Sequence, residues 1–533
     1  MKNRIKQYLL AASMCVGLTA CSDFFEPIPG VQFGLDETFA SKQRTEEYLN
    51  NVYSYVREVT DAIHPNTYGG IFTEASLDGA NRWNKTYAEW TNGSFNSASA
   101  QASEYFSKYY QAIAKASTFI QNVDKCTEAA ASTRGKWKSE ARALRAYYYF
   151  ELLRLYGPIP LIGEDPIPLD ASLEELIKER NSVDECVNFI ATELQSAIDS
   201  GDLLQRAGKA NLGRMDVATC MALKAKLYLY WASPLFNGNT DQASVKNKDG
   251  KQLFPQTEDN SKWAQARDAY ERFMTFATGQ GYKLTEVYTN GKLDPYASCR
   301  AAGEFFTTTW EAVDELIFVK LRDLYDYTYW VCPKFTDFQD TDVTGGGGYY
   351  TTQETVDLFF TKDGLTIEED PGYDKFEGIP GANNFTSGRY YDPNNPSRLY
   401  FDADKSKVLK QWKDREPRFY VNITYSGSIW LNEGKYNEEM RTDFTNGANG
   451  TCGKSKASGD CPDSGYLIRR GAKASNNNGS KHFSPVLRLA DMYLGYAEAL
   501  CMCSDLDNAL TYLNKIRVRA GIPEYTFTAT AGK

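Results

Sequence analysis

Asn81-Arg82-Trp83-Asn84 and Tyr87-x-x-Trp90-Thr91-Asn92 put two tryptophans, a guanidinium and several amides into one polar stretch without helical period. An indole or phenol ring offers a flat apolar face with a polar edge, suited to stacking on a sugar ring or gripping a peptide. Amides and a guanidinium beside such rings can bind hydroxyls and fix orientation. The chemistry open to these residues is therefore recognition. A second aromatic-rich stretch holds Trp310, Tyr325, Tyr327, Tyr329 and Trp330. With 36 Tyr, 28 Phe and 9 Trp, the chain has more rings than packing usually requires, which leaves some for a surface.

Residues for turnover are scarce. The two histidines, His64 and His482, have no second ligand beside them. There is no His-Glu-x-x-His, no Gly-x-Ser-x-Gly and no phosphate loop, because Gly345–Gly348, which reads as a flexible run, is not followed by Lys-Ser/Thr. Asp402-x-Asp404-x-Ser406 opens like a calcium loop, but Lys407 and Lys413 stand where glycine and glutamate are needed. The 69 acidic residues make accidental carboxylate pairs inevitable, and the pair a glycosidase needs is defined in space. The expectation is a binding protein and not an enzyme, with no cofactor and no metal site.

The N-terminus predicts an address. Lys2, Arg4 and Lys6 precede an apolar stretch from Tyr8 to Leu18 that is too short to span a bilayer. It ends in Leu18-Thr19-Ala20-Cys21, the pattern of a bacterial lipoprotein signal in which residues 1–20 are removed and Cys21 is lipidated. Acyl chains on Cys21 would then hold the mature body at a membrane, through a tether over residues 21–35 containing Pro27, Pro29 and Gly30. Loss of the three cations takes the formal charge from −10 to −13. An acidic chain without a Lys/Arg cluster argues against nucleic acid as a partner. Of 11 cysteines, nine remain after Cys15 and Cys21, and the odd count gives no regular disulfide framework. Cys452 and Cys461, flanking a Gly/Ser/Asp-rich loop, are the best placed to pair.

The elements that must position the rings are helices. Trp137 to Ile162 organises the chain: Trp137, Ala141, Leu144, Tyr148, Leu152 and Leu155 recur on one helical face. Arg142, Arg145, Glu151 and Arg154 carry charge on the others, which predicts one buried side. Gly157 can close this helix and Pro158 and Pro160 forbid its continuation. Four amphipathic pairs follow from the period: 43–59 with 103–123, the organising helix with 182–199, 215–232 with 263–276, and 486–503 with 506–519. In the last pair Tyr493, Ala497, Leu500, Ala509 and Leu513 alternate bulky and small as in tetratricopeptide repeats. The predicted class is mainly α: four tetratricopeptide-like helix pairs as a scaffold, with long irregular, partly β insertions at 61–102, 236–262 and 285–485. Within the last, 315–320 and 418–425 read as strands.

The run Glu140-Ala141, Leu144-Arg145-Ala146-Tyr147-Tyr148-Tyr149-Phe150, Leu152, Arg154-Leu155-Tyr156-Gly157 and Pro160 resembles the signature helix of the SusD/RagB family of surface nutrient-binding lipoproteins. Further phrases are similar to that family: Glu354–Phe360 with Asp363-Gly364, Asp414–Tyr420, Arg488–Ala499, and Leu513-Asn514 with Ile516-Arg517, Arg519-Ala520-Gly521. The resemblance covers nearly all of the mature chain. It departs near the end, where family members usually continue past the Asn514–Gly521 helix into a further segment. It implies a SusD-like scaffold, an N-terminal helical region over 36–284 whose ligand loop is 61–102, and a C-terminal region over 285–533. It implies a ligand site formed as an aromatic arc, with Asn81, Arg82, Trp83 and Trp90 on one lip and Tyr327, Tyr329 and Trp330 on the other. It also implies a glycan ligand, an outer-membrane cell-surface location in a Gram-negative bacterium and a SusC-like TonB-dependent transporter as partner. Some relatives take peptides on the same scaffold, which is the alternative ligand class; a surface hydrolase is the third.

Overall fold

The computed structural model describes residues 34–56, 71–76, 78–82, 89, 93–163, 165, 167, 171–303, 314–322, 329–335, 345–376, 378–431, 440–445, 452–453, 459–472 and 482–526. The expected leader with Cys21, most of the expected tether, His64, and the rings Trp83, Trp90, Trp310, Tyr325 and Tyr327 lie outside these residues. The principal helices are α1 (Leu35–Ala40), α2 (Lys42–Tyr53), α3 (Ala100–Asn122), α4 (Ala131–Tyr156), α5 (Val183–Asp199), α6 (Val217–Ala232), α7 (Ser261–Gly279), α8 (Pro295–Gly303), α9 (Pro417–Asn422), α10 (Leu489–Met502) and α11 (Leu506–Ala520). From α2 to α7 each scaffold helix packs on the next, then α7 packs on α10 and α10 on α11. The four predicted pairs therefore form one stack, and the fourth closes on the third across the long insertion. Gly495 permits that closure: a Cβ there would lie 2.2 Å from the Tyr270 hydroxyl. The Tyr270 and Tyr496 rings stack beside it, with centroids 6.2 Å apart.

Local signals set the helix ends. Ser182 and Glu185 cap α5 reciprocally, with Ser182 N donating to the Glu185 carboxylate at 2.7 Å. The Asp216 carboxylate accepts from Thr219 N at 2.7 Å at the start of α6, and burial pushes its pKa up to about 6. Gly157 ends α4 with φ of 68°, its N–H donating to Leu153 O at 2.9 Å. A side chain there would also meet the Phe254 ring at 3.0 Å, so the position demands glycine twice over.

The central helix corrects the expectation of a single buried side. In α4 almost every residue from Ser139 to Leu153 is buried, because the helix lies between α3 and α5 and is crossed by α2. Its aromatic run sends each ring to a different neighbour. Tyr147 meets Phe318 edge-on, Tyr148 donates to Val52 O, Tyr149 donates to Ile162 O and meets Phe189, and Phe150 meets Tyr230. The charges tolerate burial because they are paired. Arg145, fully buried, donates from Nε to Glu193 at 2.7 Å, and Arg154 pairs with Glu151 at 2.7 Å.

The insertions add short strands: β1 (Ala80–Asn81), β2 (Tyr288–Thr289), β3 (Lys292–Leu293), β4 (Leu316–Arg322), β5 (Tyr349–Tyr350), β6 (Arg389–Asp392), β7 (Asn395–Asp402), β8 (Ile423–Thr424), β9 (Leu467–Ile468) and β10 (His482–Arg488). All pairings are antiparallel. The strand expected over 315–320 is β4, which pairs with β10 and carries Phe318 into the main core. The strand expected over 418–425 is mostly the helix α9, started by Pro417 at its first position, with only Ile423–Thr424 extended. Glu315 fastens the insertion to the last pair. Its carboxylate accepts from Arg519 at 2.9 and 2.8 Å and from Thr285 N at 2.8 Å, while its carbonyl accepts from Leu489 N.

Candidate functional site

A four-stranded sheet in the order β1-β5-β9-β8 joins the loop around residue 81 to the long insertion. Asn81 faces Tyr349, and one step on Arg82 N donates to Gly348 O at 2.8 Å. The Arg82 side chain reaches the insertion as well, donating to Cys461 O at 3.2 Å and pairing with Asp463.

The glycine run beside β5 is a platform and not the flexible run that composition predicts. Gly345 N, Gly346 N, Gly347 N and Gly348 N donate to the carbonyls of Pro333, Tyr329, Cys332 and Trp330 at 3.0, 2.7, 3.0 and 3.0 Å. All four glycines are buried. At Gly346 the rings leave no room for a side chain, since a Cβ would lie 2.6 Å from both the Trp330 and the Tyr329 ring, and at Gly345 and Gly347 the nearest atoms are backbone oxygens of Cys332 and Asp460. Residues 329–331 form a helical turn rather than a polar loop. The two rings meet edge to face, centroids 5.2 Å apart and planes at 81°, and each is half-buried. Trp330 rests on a second core cluster built from Val331, Cys332, Phe335, Tyr349 and Trp430. Lys334 pairs with Asp460, which binds the same turn to the segment that holds Arg82.

Of the predicted lips, the described residues Arg82, Tyr329 and Trp330 thus meet across one hydrogen-bonded strip, through Gly348 O on one side and Gly346 N and Gly348 N on the other. Asn81 contributes its backbone to β1, and its side chain lies outside the described set, as do Trp83, Trp90 and Tyr327. Chemically, half-buried rings on the same glycine strip as a guanidinium–carboxylate pair can stack on a flat ligand face and orient its polar edge. Sequence reasoning missed Asp463, which lies 381 residues from Arg82 and shares no motif with it. It also missed Gly346 and Gly348 as the platform. A run of four glycines close behind Tyr329-Trp330 is the signal that could have shown it.

Cys452 and Cys461 are both buried but are not joined by a disulfide in the structure. Cys452 lies in the second cluster with Cys332, whose thiol pKa is raised by burial and then by Cys452 itself. Among the described residues no group of histidine, cysteine, aspartate and glutamate side chains is arranged to hold a metal ion. No described helix is long and apolar enough to cross a membrane.

Two family models match the chain. Residues 32–229 match one described as starch-binding, associating with the outer membrane, and residues 315–533 match the SusD family. The chain belongs to the SusD/RagB family. A SusD-like protein of Bacteroides ovatus is 27% identical over 175 residues, a match spanning 32% of this chain and 30% of that relative. The solved protein BT4246 superposes with a TM-score of 0.73 at 24% identity, covering 92% of this chain and 84% of that one. A SusD-like carbohydrate binding protein from Bacteroides fragilis superposes with a TM-score of 0.62 at 18% identity, covering 93% and 81%. At these identities the superpositions establish the fold. The mainly α, SusD-like architecture with long insertions is therefore secure.

Proposed function

We propose that this SusD-family chain is a cell-surface lipoprotein, anchored through Cys21, that captures a glycan and passes it to a SusC-like TonB-dependent outer-membrane transporter. The observation that carries the reading is the convergence of Arg82, Tyr329 and Trp330 on one glycine platform. Trp83 follows Arg82 directly in the chain and is assigned to the first lip on that ground. The family description of starch binding at the outer membrane and the carbohydrate-binding relative support a sugar over a peptide. Edge-to-face rings suit the C–H face of a sugar, and the Arg82–Asp463 pair suits its hydroxyls. Binding without turnover is the activity assigned to the site, with Asn81, Trp90 and Tyr327 completing the two lips. The broad face of the helix stack is the surface offered to the transporter.

The test is a screen of the lipid-free chain against glycans and peptides by affinity electrophoresis, with calorimetry on each hit. Retarded migration in one or more polysaccharides supports the reading. Binding confined to peptides, or turnover of a bound glycan, replaces it. For the partner, mild detergent extraction of tagged protein from its own membranes should recover a TonB-dependent transporter, and repeated failure to do so removes that part of the proposal.

A further inference from the structure

Among the buried arginines described, Arg469 is held by the fewest acceptors. Arg145 meets Glu193 and Ser117, and Arg519 meets both oxygens of Glu315. Arg415 donates to Tyr373 Oη and the carbonyls of Val356 and Phe359, and Arg517 to those of Pro523 and Gly364. The Arg469 guanidinium, only 6% exposed, donates to Ile429 O at 2.8 Å, and its Nε has no partner. Burial first, and then the like charge of Arg300, disfavour its charged form. Trp430 lies 5.6 Å away. Aromatic faces offset only part of what a buried, unpaired guanidinium loses on leaving water.

Its place in the sheet gives that charge a use. Arg469 N donates to Asn422 O at 2.6 Å, continuing the pairing of Ile468 with Ile423. In the adjoining ladder Leu467 faces Tyr350, so two steps along that register bring Arg469 opposite Gly348. Gly348 O is the acceptor of Arg82 N. Arg82, Gly348 and Arg469 thus form one row across the end of the sheet, about 10 Å wide between the outer backbones. Residues directly opposite one another share a face, and the middle position has no side chain. Arg82 is neutralised by Asp463, whereas Arg469 has no carboxylate among the described residues. A carboxylate or sulfate ester would accept two parallel N–H bonds from the guanidinium fork and cancel its charge.

We propose that Arg469 receives an anionic group of the ligand, so that the glycan taken by this site is acidic, bearing uronate carboxylates or sulfate esters. This rests on the glycan reading above, and the experiment separates the two. The full chain is titrated with oligogalacturonate and chondroitin sulfate oligosaccharides, each beside its carboxyl-reduced or desulfated counterpart, and with sodium sulfate alone. The acidic form should bind roughly tenfold to a hundredfold more tightly than its neutral counterpart. Arg469→Met should abolish that ratio, and Arg469→Lys should keep part of it. Without ligand, Arg469→Met should unfold close to the wild-type temperature, because the lost hydrogen bond to Ile429 O is offset by removal of a buried charge without a counter-charge. Glycan binding with no acidic preference, or a preference that survives Arg469→Met, overturns the inference and leaves the glycan reading intact. If no glycan binds, the glycan reading fails. In that case Arg469-dependent binding of sulfate keeps the anion site with a free anion as its ligand, and absence of sulfate binding overturns it too.

Discussion

Substituting the glycine platform by alanine, one position at a time, separates a packed site from a loose loop. At Gly346 the added methyl would sit 2.6 Å from the Trp330 and Tyr329 rings. The rings would have to retreat by about 0.8 Å to restore ordinary contact, an overpacking that costs about 1–3 kcal/mol. At Gly345 the methyl would sit 2.3 Å from Cys332 O and 2.4 Å from Tyr329 O, the oxygens that accept from Gly347 N and Gly346 N. Relief there must also break a buried backbone hydrogen bond, adding about 1–3 kcal/mol. Unfolding entropy of about 2.1 cal/mol/K per residue gives about 1 kcal/mol/K for a cooperative unit of this size. Gly346→Ala should therefore lower the melting temperature by about 1–3 °C and Gly345→Ala by about twice as much. Calorimetric unfolding reads both, and glycan titration of Gly346→Ala should show weakened binding as the rings move. Shifts of less than about 0.5 °C at both positions would refute the platform. The reverse order would refute the distinction between ring and backbone contacts.

Further outcomes follow from the scaffold. Glu315→Gln leaves Arg519 and Arg488 beside a neutral amide, and breaking a buried pair costs about 3–5 kcal/mol. Burial alone would raise the Glu315 pKa, but the charges of Arg519 and Arg488 outweigh it and hold the carboxyl below its ordinary value. The stability it contributes is therefore present above the ordinary carboxylate range and lost as pH falls through its folded pKa. Urea unfolding should find wild type and Glu315→Gln far apart at pH 7 and converging in acid; a gap independent of pH would contradict the assignment. Gly495→Ala gains about 1 kcal/mol of helix propensity but drives a methyl to 2.2 Å from the buried Tyr270 hydroxyl, an overpacking of about 1–3 kcal/mol, for a net loss of up to about 2 kcal/mol. Adding Tyr270→Phe removes the nearest clashing atom and should recover part of that loss; an equal or larger loss in the double variant would count against the contact.

Period made the stack legible: α5, α6, α10 and α11 begin and end close to where their apolar spacing places them. What the sequence hid were the partners. Arg145 looks like a surface charge until Glu193, 48 residues later, is seen to bury with it. The same blindness made α4 look one-sided, because a helix enclosed by neighbours on several sides needs paired charges rather than an apolar circumference. Around the site, Tyr329 and Trp330 were legible as aromatics, and the family resemblance placed them opposite Arg82. Their support was not, since four consecutive glycines read as freedom until the rings that exclude a side chain are known. Arg469 carried no signal at all: its isolation is defined by acceptors that are missing in space.

In the proposed site two aromatic lips on the glycine platform hold a glycan. The most direct measurement is calorimetric affinity for a glycan recovered in the screen, for wild type, Trp330→Ala, Trp83→Ala and the double variant, each with its unfolding temperature. Stacking contacts worth about 0.5–1.5 kcal/mol each predict a loss of about tenfold or less for either single change. The double variant should show no detectable binding while remaining folded. Unchanged affinity in a folded double variant would show that these rings do not hold the glycan.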